Sequence, residues 1–450
     1  MDLLPAEMLF EIFKDLSAED LINLSCVCKS FNAFINNELN LVRKLQMCFR
    51  KLNYKDESTL GDRQYTKLCI GFFSTSYHRK LFHSISSRLT TLSFSNIKLK
   101  LNILKAILNA APNVTSINFF KFTLLDAPRV LKKPFPQLDI KSLVCTRCDP
   151  GVYRIFNECN IKELTVINDD KDDFYDFRHL TSLLKSQKTL KCIFIEGLFQ
   201  TNLFIDESLD KVDFHLESFT IINGNFCKTI HLKDFIENHA DSLTRLTISD
   251  VEYCDFTPSL ICLTNLRMFD FSNIFLHNLE TLESVEILSI GGQKMNISKG
   301  CLSKFPFTKI LKLKWMRNEE MLDIMSQNMK ELVEVEITEG IVDGLKSKTL
   351  KTIVLDNVDR LPLNFFIEND KIEDFTFLNC SFVNDEIIEN VVSLKHLSRL
   401  TIIRSGNITN NALKLIRNNC KHLEKIVVKE NGNHLNWKLM DIMNCKVNIQ

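Results

Sequence analysis

The 450-residue sequence lacks several features that would place it in a common functional class. No apolar run approaches the roughly 18 residues that indicate a membrane-spanning helix. The chain opens on Asp2 and a helix signal, without the basic and apolar regions of a secretion signal. Net charge is also absent, because 56 Lys and Arg residues balance 56 Asp and Glu residues. We therefore expect a cytoplasmic or nuclear protein with protein partners, and no nucleic acid or membrane partner.

Motifs of catalysis and cofactor binding are missing as well. There is no glycine-rich phosphate loop, no nucleophile elbow and no pair of helical histidines at metal-binding spacing. The 15 cysteines are scattered, and only Cys145 and Cys148 form a CxxC pair. Zinc would need two further ligands, for which Cys159 is the adjacent candidate. We expect reduced core thiols, no metal, no cofactor and no enzyme activity.

A short helical region begins the chain. Apolar residues recur at helical spacing over 4–16, with Pro5 in the first turn, where proline is tolerated. Ser17 ends this stripe and can cap a second helix, because two acidic residues follow in that helix's first turn. Residues 29–35 predict a third helix. Three helices of this size bury only a small core, so we expect them to rely on a neighbour.

The segment from Leu4 to Phe31, LPAEMLFEIFKDLSAEDLINLSCVCKSF, resembles the F-box motif without gaps. In that family the F-box is a trihelical domain that docks on the Skp adaptor of SCF (Skp-cullin-F-box) ubiquitin ligases. The resemblance implies that this chain binds the adaptor, and through it the cullin scaffold, with the apolar residues as partly exposed anchors. The implied adaptor-binding residues are Leu4, Pro5, Ile12, Leu16, Leu21, Leu24, Val27, Cys28 and Lys29.

Two positions depart from the family pattern. Phe31 stands where the family usually has tryptophan. Val42 stands where a second tryptophan is usual, after one inserted residue near Asn40. From periodicity alone, the same helices are also consistent with an ordinary packed core that docks on nothing.

From residue 65 onward one apolar spacing recurs: a first residue, a second three positions later and a third two positions after that. Fifteen copies start between Leu89 and Leu423 at intervals of roughly 18 to 29 residues. A weaker copy, Tyr65-Leu68-Ile70, precedes them. Such intervals are typical of leucine-rich repeats, in which each copy forms a strand and successive strands pair in parallel.

The sequence therefore predicts an α/β fold with an F-box over residues 1–45, a linker over 46–64 and leucine-rich repeats over 65–450. We expect about 15 to 16 repeats with a terminal cap, stacked into a horseshoe solenoid whose concave face is a parallel sheet. Residues 380–388 and 405–423 resemble the cysteine-containing leucine-rich repeats of F-box proteins.

These two resemblances lead us to interpret the chain as the substrate-recognition subunit of an SCF ubiquitin ligase. In this interpretation the F-box docks on the adaptor, and the concave face binds a target protein for ubiquitination. The alternative is a leucine-rich-repeat interaction scaffold outside any ligase, with a vestigial F-box. Binding to the Skp adaptor distinguishes the two.

Charged and aromatic residues at solvent-facing strand positions are the candidate target-binding residues. They are Lys312, Lys314, Trp315, Glu334, Glu336, Arg399, Lys425 and Lys429. Neighbouring opposite charges could instead pair with one another across strands. A separate acidic run at 169–173 could dock a basic target segment or be a solvated loop.

Overall fold

The structure, a computed structural model, describes most of the chain. The described residues are 5–449 except 39–40, 42–43, 45, 50–65, 72–81, 83–84, 127–137, 169–177, 198–208, 210–211, 224–229, 252–255, 275, 277–278, 293–302, 316–318, 363 and 431–445. Val42 and the acidic run at 169–173 therefore lie outside the described residues. No described helix is long and apolar enough to cross a membrane.

Three short helices start the chain: α1 (Ala6–Phe13), α2 (Ala18–Val27) and α3 (Lys29–Asn37). Ser17 caps α2 as its sequence predicts, because its Oγ accepts a hydrogen bond from the backbone N–H of Asp20 at 3.1 Å. The helices share a small core centred on Phe13, whose ring meets that of Phe31 edge-on at 5.3 Å. The buried core residues are Phe13, Leu21, Phe31, Ile35 and Leu41.

The chain divides into two compact units. Unit 1 comprises residues 1–216 and 225–231, and unit 2 comprises residues 217–224 and 232–450. The described strands of unit 1 are β1 (Gln46–Phe49), β2 (Lys67–Gly71), β3 (Thr91–Ser95), β4 (Lys98–Leu99), β5 (Ser116–Phe120), β6 (Thr123–Leu124), β7 (Asp139–Thr146), β8 (Asn160–Ile167) and β9 (Cys192–Glu196). Its remaining helices are α4 (Leu101–Ala110), α5 (Gly151–Ile155) and α6 (Arg178–Ser186).

The strand pairs that the structure describes in unit 1 are all parallel. The order across its sheet is β1-β2-β3-β5-β7-β8-β9, and β4 pairs with β6 in a separate ladder. A parallel connection requires a crossover, which the helices and loops between successive strands supply.

Unit 2 continues the same pattern with strands that pair in chain order, all parallel. They are β10 (Ser218–Ile222), β11 (Arg245–Ser249), β12 (Met268–Ser272), β13 (Ile287–Gly291), β14 (Ile310–Lys314), β15 (Glu334–Thr338), β16 (Thr352–Asp356), β17 (Asp374–Leu378), β18 (Arg399–Ile403), β19 (Lys425–Lys429) and β20 (Lys446–Ile449). The helices are α7 (Ile230–Glu237), which begins in unit 1, α8 (Thr257–Ile261), α9 (Glu319–Asn328), α10 (Phe365–Glu368), α11 (Asp385–Val391) and α12 (Asn410–Asn419).

The recurring apolar spacing is the reason for this sheet. In β16, for example, Ile353 and Leu355 are fully buried while Thr352 and Val354 on the opposite side are half-buried. Each of the fifteen sequence copies contributes one strand of this kind, and the weaker copy contributes β2. The predicted leucine-rich-repeat solenoid behind a helical domain is therefore confirmed.

The start of the predicted repeat array needs correction, and its other end, within the predicted range 65–450, holds one further strand. The predicted linker, 46–64, begins with β1, which pairs in parallel with β2, so residues 46–49 belong to the sheet. At the other end, β20 pairs in parallel with β19. The repeat spacing did not predict either strand, because neither contains a full copy of the apolar motif.

The residue that directly follows most of the described strands has a left-handed backbone conformation, with φ near +50°. These residues donate their backbone N–H to the next strand's last carbonyl, as Asn379 does to Ile403 at 3.0 Å. This geometry suits Asn, Asp and Gly, which are frequent here. The non-glycine residues with this backbone are Asn96, Lys121, Arg147, Asn223, Asp250, Asn273, Trp315, Glu339, Asn357, Asn379, Arg404 and Glu430.

Candidate interaction surfaces

The helical domain exposes apolar side chains that its small core does not use. Met8 and Ile12 are each 52% exposed and lie four residues apart, so they share one face of α1. Val27, at the end of α2, is 68% exposed. Water-exposed aliphatic side chains on such a small domain suit contact with another protein.

The other predicted adaptor residues differ in burial. Pro5 and Cys28 are exposed, and Leu16 and Leu24 are half-buried against the helical core. Leu21 is fully buried in that core, so the expectation that it is a partly exposed anchor is wrong. Its position on α2 turns it toward the rings of the core instead of toward solvent. Leu4 and the side chain of Lys29 lie outside the described residues.

Lys312 and Glu336 are direct cross-strand partners in unit 2. They lie in register on β14 and β15, and the Lys312 Nζ to Glu336 Oε2 distance is 2.7 Å. The hydrogen bond to Glu336 raises the pKa of Lys312. On β12, burial raises the pKa of Asp270, which also lies in the field of Lys312. The charges at this point of the sheet therefore largely satisfy one another.

Trp315 is also held by its own neighbours. The Lys314 ammonium lies 4.2 Å from the centre of the indole ring, and the indole Nε1–H donates a hydrogen bond to Glu339. The indole is half-buried. It therefore uses both its face and its only donor within the chain.

The remaining target candidates lie at two places in unit 2. Glu334 is half-buried on β15, beside the Lys312–Glu336 pair. Arg399 bonds to Asp374 at 2.8 Å, and its register neighbour Lys425 is exposed. Lys429 is half-buried on the same strand as Lys425. The structure thus brings together the candidates on β14 and β15, while those on β18 and β19 form a separate group.

Comparison with known protein families identifies the helical domain. Residues 1–47 match the family model described as F-box-like. These residues form an F-box-like domain. The match confirms the resemblance that the sequence motif indicated, and it covers the three helices and the first residues of β1. No curated protein sequence matches the chain significantly.

Solved structures with a similar fold were also found. One is from the TLR13–ssRNA13 complex, with 11% identity, 90% of this chain and 72% of that chain covered, and a TM-score of 0.47. A second is the leucine-rich-repeat protein LIC12759 of Leptospira interrogans, with 14% identity, coverages of 97% and 99%, and a TM-score of 0.32. A third is from the yeast Rad7 and Elc1 complex, with 13% identity, coverages of 77% and 87%, and a TM-score of 0.38.

Of the two departures from the family pattern, Phe31 lies among the described residues of the F-box-like domain. Phe31, which replaces a usual tryptophan, is buried against Phe13 and serves the core. After α3, Lys44 donates hydrogen bonds to the backbone carbonyls of Leu16, at 3.1 Å, and Lys14. The segment after α3 is thereby attached to the C-terminal end of α1, where cations are favoured.

Cys145 and Cys148 are both buried, and Cys148 donates to the carbonyls of Phe119 and Thr146 at 3.4 and 3.3 Å. The hydrogen bond between the two thiols, together with burial, raises the pKa of Cys145. Cys380 makes the same pair of bonds in unit 2, to Leu355 and Leu378. Among the described residues, no group of three or more potential ligands is placed to hold a metal. The Cys148 thiol thus satisfies two backbone carbonyls, and the Cys145 thiol pairs with it.

One exposed residue was absent from the residues that the sequence resemblance implied. Met8 belongs to the apolar stripe of α1, and the stripe alone does not separate it from core residues such as Phe13. Its i, i+4 relation to Ile12 is the signal that places it on the exposed face. The helical apolar surface is the name we give to the exposed and half-buried apolar side chains Met8, Ile12, Leu16, Leu24 and Val27.

Proposed function

We propose that this chain is the substrate-recognition subunit of an SCF-type ubiquitin ligase. The helical apolar surface would dock on the Skp adaptor, which connects the chain to the cullin scaffold. The solvent-facing side of the leucine-rich-repeat sheet would bind the target protein. The conjugating enzyme of such a complex would supply the chemistry, so this chain's contribution would be proximity and orientation of the target.

The F-box-like domain with its exposed apolar residues is the observation that carries the proposal. Burial of an exposed aliphatic side chain contributes roughly 1.5 to 3 kcal/mol. Met8, Ile12 and Val27 together would contribute several kcal/mol before the costs of association are subtracted. Half-buried Leu16 and Leu24 of the helical apolar surface would add to this free energy. The gross total is of the size needed for a stable complex.

The proposal is tested by co-expression with a Skp-type adaptor and capture through a tag on this chain. We expect the unmodified chain to retain the adaptor. Ile12→Asp combined with Val27→Asp should abolish capture, because two carboxylates would have to be buried against an apolar partner. Both positions are exposed, so the fold should tolerate the changes.

Asn23→Asp combined with Ser30→Asp is the matched control, since it adds the same charge at two exposed polar positions of the same domain. We expect this control to keep the adaptor. Failure of the unmodified chain to capture any Skp-type adaptor would contradict the proposal and favour the non-ligase scaffold. Equal capture by the Ile12→Asp, Val27→Asp variant and its control would show that another surface makes the contact.

A further inference from the structure

Charged side chains are concentrated on β14 and β15 of unit 2, where they occupy four of the six outward positions. Two charged pairs cross the strands between β14 and β18, Lys312 with Glu336 and Arg399 with Asp374. A partner that docked there would have to break these pairs or bury them, and both cost free energy. A face with few charges avoids this cost.

Strands β5, β7, β8 and β9 of unit 1 carry such a face. Their outward positions form three rows in register across the four strands. The first row is Ser116, Ser142, Glu163 and Cys192, the second is Asn118, Val144, Thr165 and Phe194, and the third is Phe120, Thr146, Ile167 and Glu196. Ten of these twelve side chains are uncharged, all but Glu163 and Glu196, and four are aliphatic or aromatic, in a chain in which 25% of residues are charged. Interface cores are similarly depleted of charge and enriched in aromatic residues.

The four aliphatic and aromatic side chains alternate between the second and third rows along successive strands. They are Phe120, Val144, Ile167 and Phe194, which we call the apolar zigzag. Phe120 is 40% exposed and the other three are half-buried. Neighbouring members are about 8 Å apart, from a strand spacing of about 4.8 Å and a rise of about 3.3 Å per residue. Same-side residues of an extended segment repeat about every 7 Å, so one such segment can contact several members.

A cation borders the zigzag. Lys121 directly follows Phe120, with its ammonium 5.7 Å from the centre of the phenyl ring. Lys121 is exposed and forms no ion pair with a described residue. Asp126, the nearest acidic residue along the chain, accepts the backbone N–H of Leu101. A carboxylate from a partner therefore fits beside Phe120.

We propose that the apolar zigzag and Lys121 form the docking site for a short acidic–apolar segment of the target protein. The segment would place aliphatic or aromatic side chains on the zigzag and a carboxylate on Lys121. That the segment belongs to a target protein rests on the proposed function. The chemistry of the site itself does not depend on adaptor binding. Such a segment meets few charges that must be desolvated, which favours this face over the paired charges of unit 2.

The test uses short random peptides displayed on phage, selected against the full chain. We expect enriched peptides to combine two or more aliphatic or aromatic residues with Asp or Glu. Synthesised peptides from this set should bind in a fluorescence anisotropy assay. No enrichment, or enrichment of basic or purely polar peptides, would overturn the proposal.

Phe120→Glu should weaken peptide binding at least about tenfold, as expected for loss of a central aromatic contact. Phe307→Glu is the matched control, because Phe307 is a similarly exposed phenylalanine, 43% exposed, in unit 2. Lys121→Glu should weaken acidic peptides about fivefold and should restore binding of the same peptides carrying Lys in place of the acid. If Phe120→Glu and Phe307→Glu lost the same peptide affinity, the peptides would bind elsewhere. The same conclusion would follow if Lys-containing peptides did not regain binding to Lys121→Glu.

Two further measurements separate this inference from the proposed function. Light scattering measures whether the chain self-associates. If it does, and Phe120→Glu abolishes the self-association, the site binds a second copy of the chain and not a target segment. Adaptor capture should be unchanged in Phe120→Glu, while Ile12→Asp with Val27→Asp should leave peptide binding unchanged. Peptide binding without adaptor capture would overturn the ligase role and keep the docking site.

Discussion

Leu21 and Val27 show how position on a helix decides what a side chain can do. Both are aliphatic, both lie on α2, and both were expected to face the adaptor. Leu21 is buried in the core with Phe13, Phe31 and Ile35. Val27 is the most exposed large apolar residue among the described residues of the F-box-like domain. Substitutions of the first test the domain's stability, and substitutions of the second test its partner. This difference is why the adaptor experiment uses Val27 and leaves Leu21 unchanged.

Burial also controls the reactivity of single thiols, and Cys420 gives the clearest case. Burial raises the pKa of Cys420 to about 11, from an ordinary value of 9.0. Only the thiolate is alkylated, so at pH 8 the reactive fraction of Cys420 should be about a hundredfold smaller than for an unperturbed thiol. We expect iodoacetamide at pH 8 to modify exposed Cys262 faster than buried Cys420, with the difference in rate narrowing as pH approaches 11.

Mass spectrometry of peptides from a time course of alkylation measures both rates. The same time course in denaturant is the control, because unfolding removes the burial that separates the two thiols. Similar rates for Cys420 and Cys262 in the folded chain would contradict the assigned burial.

The turn after each strand is the element that repeats most regularly along the chain. Asn379 has a φ of 54°, and its Nδ2 donates to Asp356 Oδ1 at 2.6 Å across to the preceding repeat. Asn379→Val should destabilise this part of unit 2 by about 2 to 3 kcal/mol. A β-branched residue in the left-handed region costs about 1 to 2 kcal/mol, and the lost hydrogen bond adds about 1.

Hydrogen exchange of β16, β17 and β18 measures this effect locally. Asn379→Gly is the control, because glycine accepts the left-handed backbone and loses only the side-chain bond. We expect the glycine variant to exchange much more slowly than the valine variant. Equal exchange in the two would mean that backbone strain contributes nothing at this turn.

The elements differ in how far the sequence could predict them. The strands depend on a local pattern, in which residues such as Leu311 and Leu313 alternate with polar ones, so the copies located them correctly. The role of Lys312 could not be read this way, because its partner Glu336 is 24 residues away and the pairing depends on the register of two strands. The apolar zigzag is marked in the sequence only by an absence of charge at alternate positions. It becomes visible when four strands are placed side by side.

At the scale of the whole molecule, the chain combines two kinds of core. The F-box-like domain has a compact core of five buried residues. The repeats have no such centre, since each strand buries its inward side chains against those of its neighbours. Stability in a repeat array is approximately a sum over neighbouring contacts, so damage to one repeat should remain local. The ability to bind an adaptor and the ability to present a sheet face are therefore expected to fail independently.

Phe375→Asp tests this independence. Phe375 is fully buried in β17, with its ring 4.5 Å from that of Phe377 and 6.0 Å from that of Phe366. A carboxylate at this position would be buried without a partner, which destabilises by more than about 4 kcal/mol. We expect faster hydrogen exchange in β16, β17 and β18, with unchanged exchange in α1, α2 and α3 and unchanged adaptor capture. Glu368→Asp, a conservative change on the nearby α10, should leave both readouts as in the unmodified chain. If exchange in the F-box-like helices also rose, the repeats and the helical domain would be one cooperative unit, because local damage would then have removed a contact that the helices need.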